Sequence, residues 1–162
     1  MEVNIRFAKK EEWKKIADVE RICFPPAEAA SEETIFERVN TFVENFFVAE
    51  CDGKIIGYVG GGTADTPHLP DEMYHNVKLH KPEGKYQTVF SLAVLPEYQN
   101  FGIGGKLLEN ILEESKKRQK YAVILTCKDY RVHYYEKFGF INYGVSDSNH
   151  GNATWYDMRA IF

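Results

Sequence analysis

Apolar and polar positions alternate over residues 3–8, with Val3, Ile5 and Phe7 on one side, which is the period of a half-buried strand. The spacing then becomes helical from Glu11 to Cys23, through Trp13, Ile16, Val19 or Glu20, and Cys23. Acids gather in its first turn, where they suit the helix dipole, and Pro25-Pro26 ends the run. Ser31 caps a second helix whose stripe is Ile35, Phe36, Val39 and Phe42. Two strand-like runs, 46–51 and 54–63, flank Asp52-Gly53, a strong hairpin signal, and Gly60-Gly61-Gly62 ends or kinks the second. Residues 64–84 are polar, carry three prolines and three of the five histidines, and are too long for a plain connection. Such a segment reads as a functional loop or lid. A strand over 85–94 leads into Gly102 to Gly105 and a helix with Leu107, Leu108, Ile111 and Leu112 on one face. A continuous apolar strand over 121–127, a short helix over 131–137, and strands over 140–145 and 155–161 follow. The order βααββ-β-αβαββ is that of a mixed α+β single domain over 1–162.

Composition narrows the class. The 162 residues suit one domain, and 44% hydrophobic with 27% charged residues exclude a disordered or fibrous chain. No apolar run reaches the ~20 residues of a membrane-spanning helix, and the first residues lack the layout of a signal peptide. A net charge of −4 leaves no basic footprint for nucleic acid. Cys23, Cys51 and Cys127 are scattered in apolar surroundings, which fits small core residues in a reducing cytoplasm. His68, His75 and His80 have no metal-ligand spacing, so no metal is expected.

The chemistry concentrates where the 85–94 strand runs through a glycine-rich turn into a helix. A helix start of this kind presents backbone N–H groups and a positive dipole end to phosphate. A G-x-x-x-x-G-K-[ST] phosphate loop fails here, because Asn100 and Leu107 occupy required positions. A dinucleotide G-x-G-x-x-G fails at Leu107. The pattern that matches is Q-x-x-G-x-G, as Gln99-Asn100-Phe101-Gly102-Ile103-Gly104. Taken alone, these glycines also suit a tightly packed strand-to-helix turn.

With the element order around it, this turn resembles the pyrophosphate loop of the GNAT superfamily of N-acetyltransferases. A second motif, Tyr134-Tyr135-Glu136-Lys137-Phe138-Gly139-Phe140, is similar to that family's Y-x-x-x-G-F segment. A narrower likeness lies in Cys23-Phe24-Pro25-Pro26-Ala27-Glu28-Ala29-Ala30-Ser31 and in His80 to Lys85, which resemble the arylalkylamine N-acetyltransferase-like group. The chain departs from the vertebrate members of that group at Thr88 and Phe90, which stand where those enzymes carry two proton-relaying histidines.

The resemblance implies a central, mostly antiparallel twisted sheet of six or seven strands. About four helices flank it, and it splays between its fourth and fifth strands. It implies acetyl-CoA as cosubstrate, held by the backbone of Leu92, Ala93 and Val94 and by Asn100, Phe101, Gly102, Ile103, Gly104 and Gly105. The N–H groups of Leu92 and Val94 would polarise the thioester carbonyl. Tyr135 is the expected acid for the departing thiolate. Glu28 is the candidate base or ammonium partner, with His133 behind it; Cys127 has no visible His or Asp partner for nucleophilic chemistry. Asp71-Glu72-Met73-Tyr74 offers an acid and an aromatic for an amine site. The reading is direct acetyl transfer to the primary amine of a small arylalkylamine or polyamine by a monomer or homodimer. Acetylation of a protein lysine or N-terminus, and a non-catalytic CoA-binding sensor, stand as alternatives.

Overall fold

The structure, a computed structural model, describes residues 1–162. The chain forms two compact units, Met1–Gly61 with Phe90–Ile111, and Gly62–Val89 with Leu112–Phe162.

The first unit is built on a four-stranded antiparallel sheet in the order β1-β2-β3-β6. Its strands are β1 (Asn4–Phe7), β2 (Phe46–Cys51), β3 (Lys54–Gly60) and β6 (Ser91–Val94). The β2–β3 hairpin turns at Asp52 and Gly53, both with positive φ (51° and 76°), as a two-residue turn matched to strand twist requires. The last residue of β3, Gly60, has to be glycine, because a Cβ there would lie 2.4 Å from the Phe46 ring. Helices α1 (Trp13–Cys23) and α2 (Glu32–Phe42) pack on each other, with α1 against β3 and β6. The Ser31 hydroxyl accepts the Thr34 N–H at 3.1 Å, so the expected cap forms. Two expected apolar faces are modified. Phe7 and Phe36 are exposed, Phe7 tilted against Phe47 and Phe36 edgewise to Trp13, while Glu20 and Arg38 occupy buried positions on the helix stripes.

The second unit carries a five-stranded sheet in the order β4-β5-β7-β9-β8. These are β4 (Thr63–Ala64), β5 (Tyr86–Thr88), β7 (Ala122–Cys127), β8 (Ile141–Val145) and β9 (Tyr156–Ile161). All pairs are antiparallel except β5 with β7. Helix α3 (Ile103–Lys117) precedes β7 and the short helix α4 (Val132–Glu136) follows it.

The single strand expected over 85–94 is corrected. The segment is two strands that belong to different sheets. The Val89 N–H donates to Ile124 O, and the next N–H, of Phe90, donates to Gly60 O, both at 2.8–2.9 Å. The backbone thus leaves β7 and joins β3 within one residue. Consequently β7 pairs with β5 only over 122–124, and β6 pairs only with β3. Hydrophobic periodicity does not reveal such a change of partner, because both halves are apolar.

Residues 64–84 are ordered by short turns at Asp71–Tyr74 and Val77–Leu79. The Asp71 carboxylate accepts from the Ser148 hydroxyl (2.5 Å) and the Asn149 N–H (3.2 Å). His80 Nδ1 accepts the Thr63 N–H at 2.9 Å.

Candidate active site

In the first unit the site begins at β6, the edge strand of its sheet. The Leu95 N–H donates to Ile56 O. Alternation along an antiparallel strand therefore turns the N–H and C=O groups of Leu92 and Val94 away from β3, with those of Ala93 facing it. The free edge is already engaged at one point. Val94 O accepts from Gln99 Nε2 at 2.9 Å and from the Cys23 thiol at 3.3 Å. Burial, then the nearby charges of Glu20 and Glu97, push the Cys23 thiol up to about 11. It is thus a half-buried hydrogen-bond donor, neither the fully buried core residue expected nor a nucleophile.

Beyond β6, Pro96 opens a short turn and the chain reaches Asn100 (φ 69°) and Gly102 (φ 79°). Two left-handed residues flank the exposed Phe101, and this reversal needs Gly or Asn. Gly102 O accepts the Lys106 N–H at 3.1 Å, so α3 starts at Ile103 and the N–H groups ahead of Lys106 have no intrahelical acceptor. A Cβ at Gly102 would meet nothing within 4 Å, which leaves the space over the turn open. Free N–H groups, a positive helix end and an open face fit a pyrophosphate. Lys106, exposed in the first turn, places a cation where an anion would be welcome and was not singled out in the sequence.

Glu28 lies in the turn between α1 and α2, half-buried, its N–H donating to Pro25 O at 2.8 Å. The residue overlooked in the sequence is Glu20. It is 3% exposed, and its carboxyl oxygens accept from the Tyr58 hydroxyl (2.6 Å) and the Ala30 N–H (2.9 Å). Its signal was a carboxyl within the apolar stripe of α1.

In the second unit Tyr135 is on α4, buried among aromatic neighbours Tyr134 and Phe140. Burial foremost, and then the Cys127 thiol, raise its phenol well above the ordinary value, so the hydroxyl keeps its proton at any physiological pH. Burial likewise lifts the Cys127 thiol to about 11, which removes it as a nucleophile. His133 is on the surface, 2.8 Å from Glu136. Thr88 is spent structurally, accepting the Gly62 N–H and donating to Gly62 O. In the first unit Phe90 is equally committed, under the Arg38 guanidinium at 4.7 Å. Neither residue substitutes for a histidine base. Asp71, expected to face an amine, instead fastens 64–84 to 148–149, and Tyr74 stacks on His150 with its hydroxyl 3.1 Å from Thr126 Oγ1. No group of three His, Cys, Asp or Glu side chains is placed to hold a metal.

A strand edge with unused N–H groups, continuing into an anion cradle at a helix start, is a layout suited to an acyl thioester carried on a phosphorylated arm. Residues 13–140 match the acetyltransferase (GNAT) family, and the chain belongs to that family. It is an acyltransferase that uses acetyl-CoA. It is 27% identical over 143 residues to an N-alpha-acetyltransferase of Sulfurisphaera tokodaii, covering 86% of this chain and 80% of that protein. It is 29% identical over 110 residues to the serotonin N-acetyltransferase of Mesocricetus auratus, covering 67% of this chain and 51% of that enzyme. Among solved structures, the loading GNAT-like domain of CurA from Lyngbya majuscula superposes with a TM-score of 0.86 at 16% identity, over 99% of this chain and 98% of that domain. At that identity the likeness concerns the fold alone. No helix of the chain is long and apolar enough to cross a membrane.

Proposed function

We propose that residues 1–162 work as one N-acetyltransferase domain that moves acetyl directly from acetyl-CoA to the primary amine of a small arylalkylamine or polyamine. The observation that carries acyl transfer is the turn at Asn100 and Gly102, whose two positive φ values aim a helix start at open space. In this reading the backbone of Asn100, Phe101, Gly102, Ile103, Gly104 and Gly105 holds the pyrophosphate. The edge formed by Leu92, Ala93 and Val94 takes the thioester arm, with the Leu92 and Val94 N–H groups on the carbonyl oxygen as negative charge develops there. The bound thioester supplies an activated acetyl group. Glu28 holds the ammonium or accepts its proton through water, since an alkylamine (pKa about 10.4) must lose a proton before it attacks. Tyr135 returns a proton to the thiolate.

The small-amine reading is supported by the Phe24 to Ser31 segment and by the serotonin N-acetyltransferase match. A second reading, transfer to a peptide N-terminus, is favoured by the archaeal N-alpha-acetyltransferase, which this chain matches over more of its length. A panel of arylalkylamines, polyamines and short peptides, assayed by release of the CoA thiol, separates them. Faster turnover of a small amine is expected. Peptides outrunning every small amine would install the second reading. Tight acetyl-CoA binding with no turnover of any amine would mark a CoA-binding sensor.

A further inference from the structure

We infer that Glu20 is the positioning residue that joins the α1–α2 turn to the strands of the acyl-binding edge. This rests on the site proposed above. Glu20 opens the last turn of α1, a helix that packs against β3 and β6. One carboxyl oxygen takes the Ala30 N–H, two residues from Glu28 and just ahead of the Ser31 cap. The other takes the hydroxyl of Tyr58, a fully buried residue of β3. Ser91, the first residue of β6, shares a hydrogen bond with the same hydroxyl. One side chain therefore ties three pieces together: the turn carrying Glu28, the central strand, and the start of the strand that presents Leu92 and Val94. The Tyr58 ring is held against rotation by Phe46, stacked at 6.0 Å and 5°.

A buried carboxyl with two donors is costly to remove, because both donors then lose their partner away from water. Ala30 N–H reaches Glu20 outside the turn, whereas the Glu28 and Ala29 N–H groups both donate within it, to Pro25 O. Losing the Glu20 contact should free this turn before it disturbs the sheet.

The chemistry of the amide makes Glu20→Gln a sharp control. Its oxygen accepts from Ala30 N–H while its NH2 group donates to the Tyr58 oxygen, and Tyr58 turns its proton toward Ser91. Geometry survives and the negative charge does not. Glu20→Ala removes both contacts, and Glu20→Asp keeps the charge but falls short of reaching both donors.

The test combines amide hydrogen exchange over residues 24–31 with steady-state kinetics on the best amine of the panel. In Glu20→Ala, exchange over 24–31 should accelerate at least tenfold and kcat/KM for the amine should fall by about tenfold or more, as expected for a misplaced positioning group. The acetyl-CoA dissociation constant should stay within about twofold, because the Asn100 to Gly105 turn makes none of these bonds. Glu20→Gln should recover most of both losses, and if Glu20→Ala fails to fold, Glu20→Asp should show them in weaker form. Unchanged exchange in Glu20→Ala or Glu20→Asp overturns the inference, as does unchanged amine kinetics. Equal damage from Glu20→Gln overturns it too, by showing that the charge rather than the geometry matters. The exchange measurement needs no substrate, so a wild-type protein that acetylates nothing refutes the proposed function while the role of Glu20 in holding the turn is still decided.

Discussion

The two units carry their proposed chemistry in different materials. In the first, the groups aimed at acetyl-CoA are backbone: the outward N–H groups of Leu92 and Val94 and the free N–H groups at the start of α3. In the second, the one group proposed to act is the side chain of Tyr135, set among rings. A backbone site has no atoms to delete and fails when atoms are added to it. A side-chain site fails when a single atom is taken away. The difference also bears on rigidity. The cradle is fixed by φ angles that only particular residues accept, whereas the phenol is fixed by its packing.

The most damaging test adds atoms to the cradle. Gly102→Val should raise the acetyl-CoA dissociation constant by about a thousandfold, on the order of 4 kcal/mol, as expected from losing two charge-assisted hydrogen bonds to phosphate. Part of the effect is strain, since φ 79° costs an L-residue roughly 1–2 kcal/mol. Gly102→Ala separates the two contributions: it carries the strain with little bulk and should lose far less affinity. Calorimetry on folded variants measures both. Unaltered affinity in Gly102→Val would remove the backbone cradle from the comparison.

Taking one atom from the other unit should cost less. Tyr135→Phe should lower kcat about a hundredfold, the lower range for loss of a general acid, with little change in KM for acetyl-CoA. The direction of its pKa shift sets the pH dependence. The raised phenol stays protonated and able to donate as pH climbs past the ordinary tyrosine value, so Tyr135 contributes no alkaline fall in kcat below about pH 10. Wild type and Tyr135→Phe should therefore give parallel profiles from pH 6 to 9, displaced in height. Full activity in the Phe variant over that range would leave Tyr135 as packing.

What the sequence disclosed follows the same division. The hairpin at Asp52-Gly53, the Ser31 cap and the Gly102 turn were legible because each needs a residue type with few other reasons to be there. The exchange of partners between Val89 and Phe90 was not, since it changes hydrogen-bond partners without changing hydropathy. Asp71 shows the limit for side chains. Acid and aromatic neighbours suggested an amine site, but the carboxylate is taken by Ser148 and Asn149, more than seventy residues away. Glu20 failed in the opposite direction. The stripe read equally through Val19 or Glu20, and the partners of the Glu20 carboxyl on β3 and in the α1–α2 turn become visible only in three dimensions.

Glu28 sharpens the comparison from within the first unit, because it is the side chain there proposed to act beside a backbone site. With Thr88 and Phe90 both committed to structure, the amine's proton needs another route. Glu28 is half-buried in a turn, so its action is through a hydrogen bond or an intervening water, and its loss should be milder than that of Tyr135. Glu28→Gln should lower kcat/KM for the amine by about tenfold, toward the weaker end of general-base effects, while acetyl-CoA binding stays intact. The amide of the Gln variant cannot take up the proton, so the loss should appear with every amine of the panel. An unchanged rate would leave Glu28 a residue of the turn alone and pass the role to His133. Its exposed pairing with Glu136 then makes His133→Gln the next substitution to measure, a fall in kcat/KM for the amine being the signature to look for.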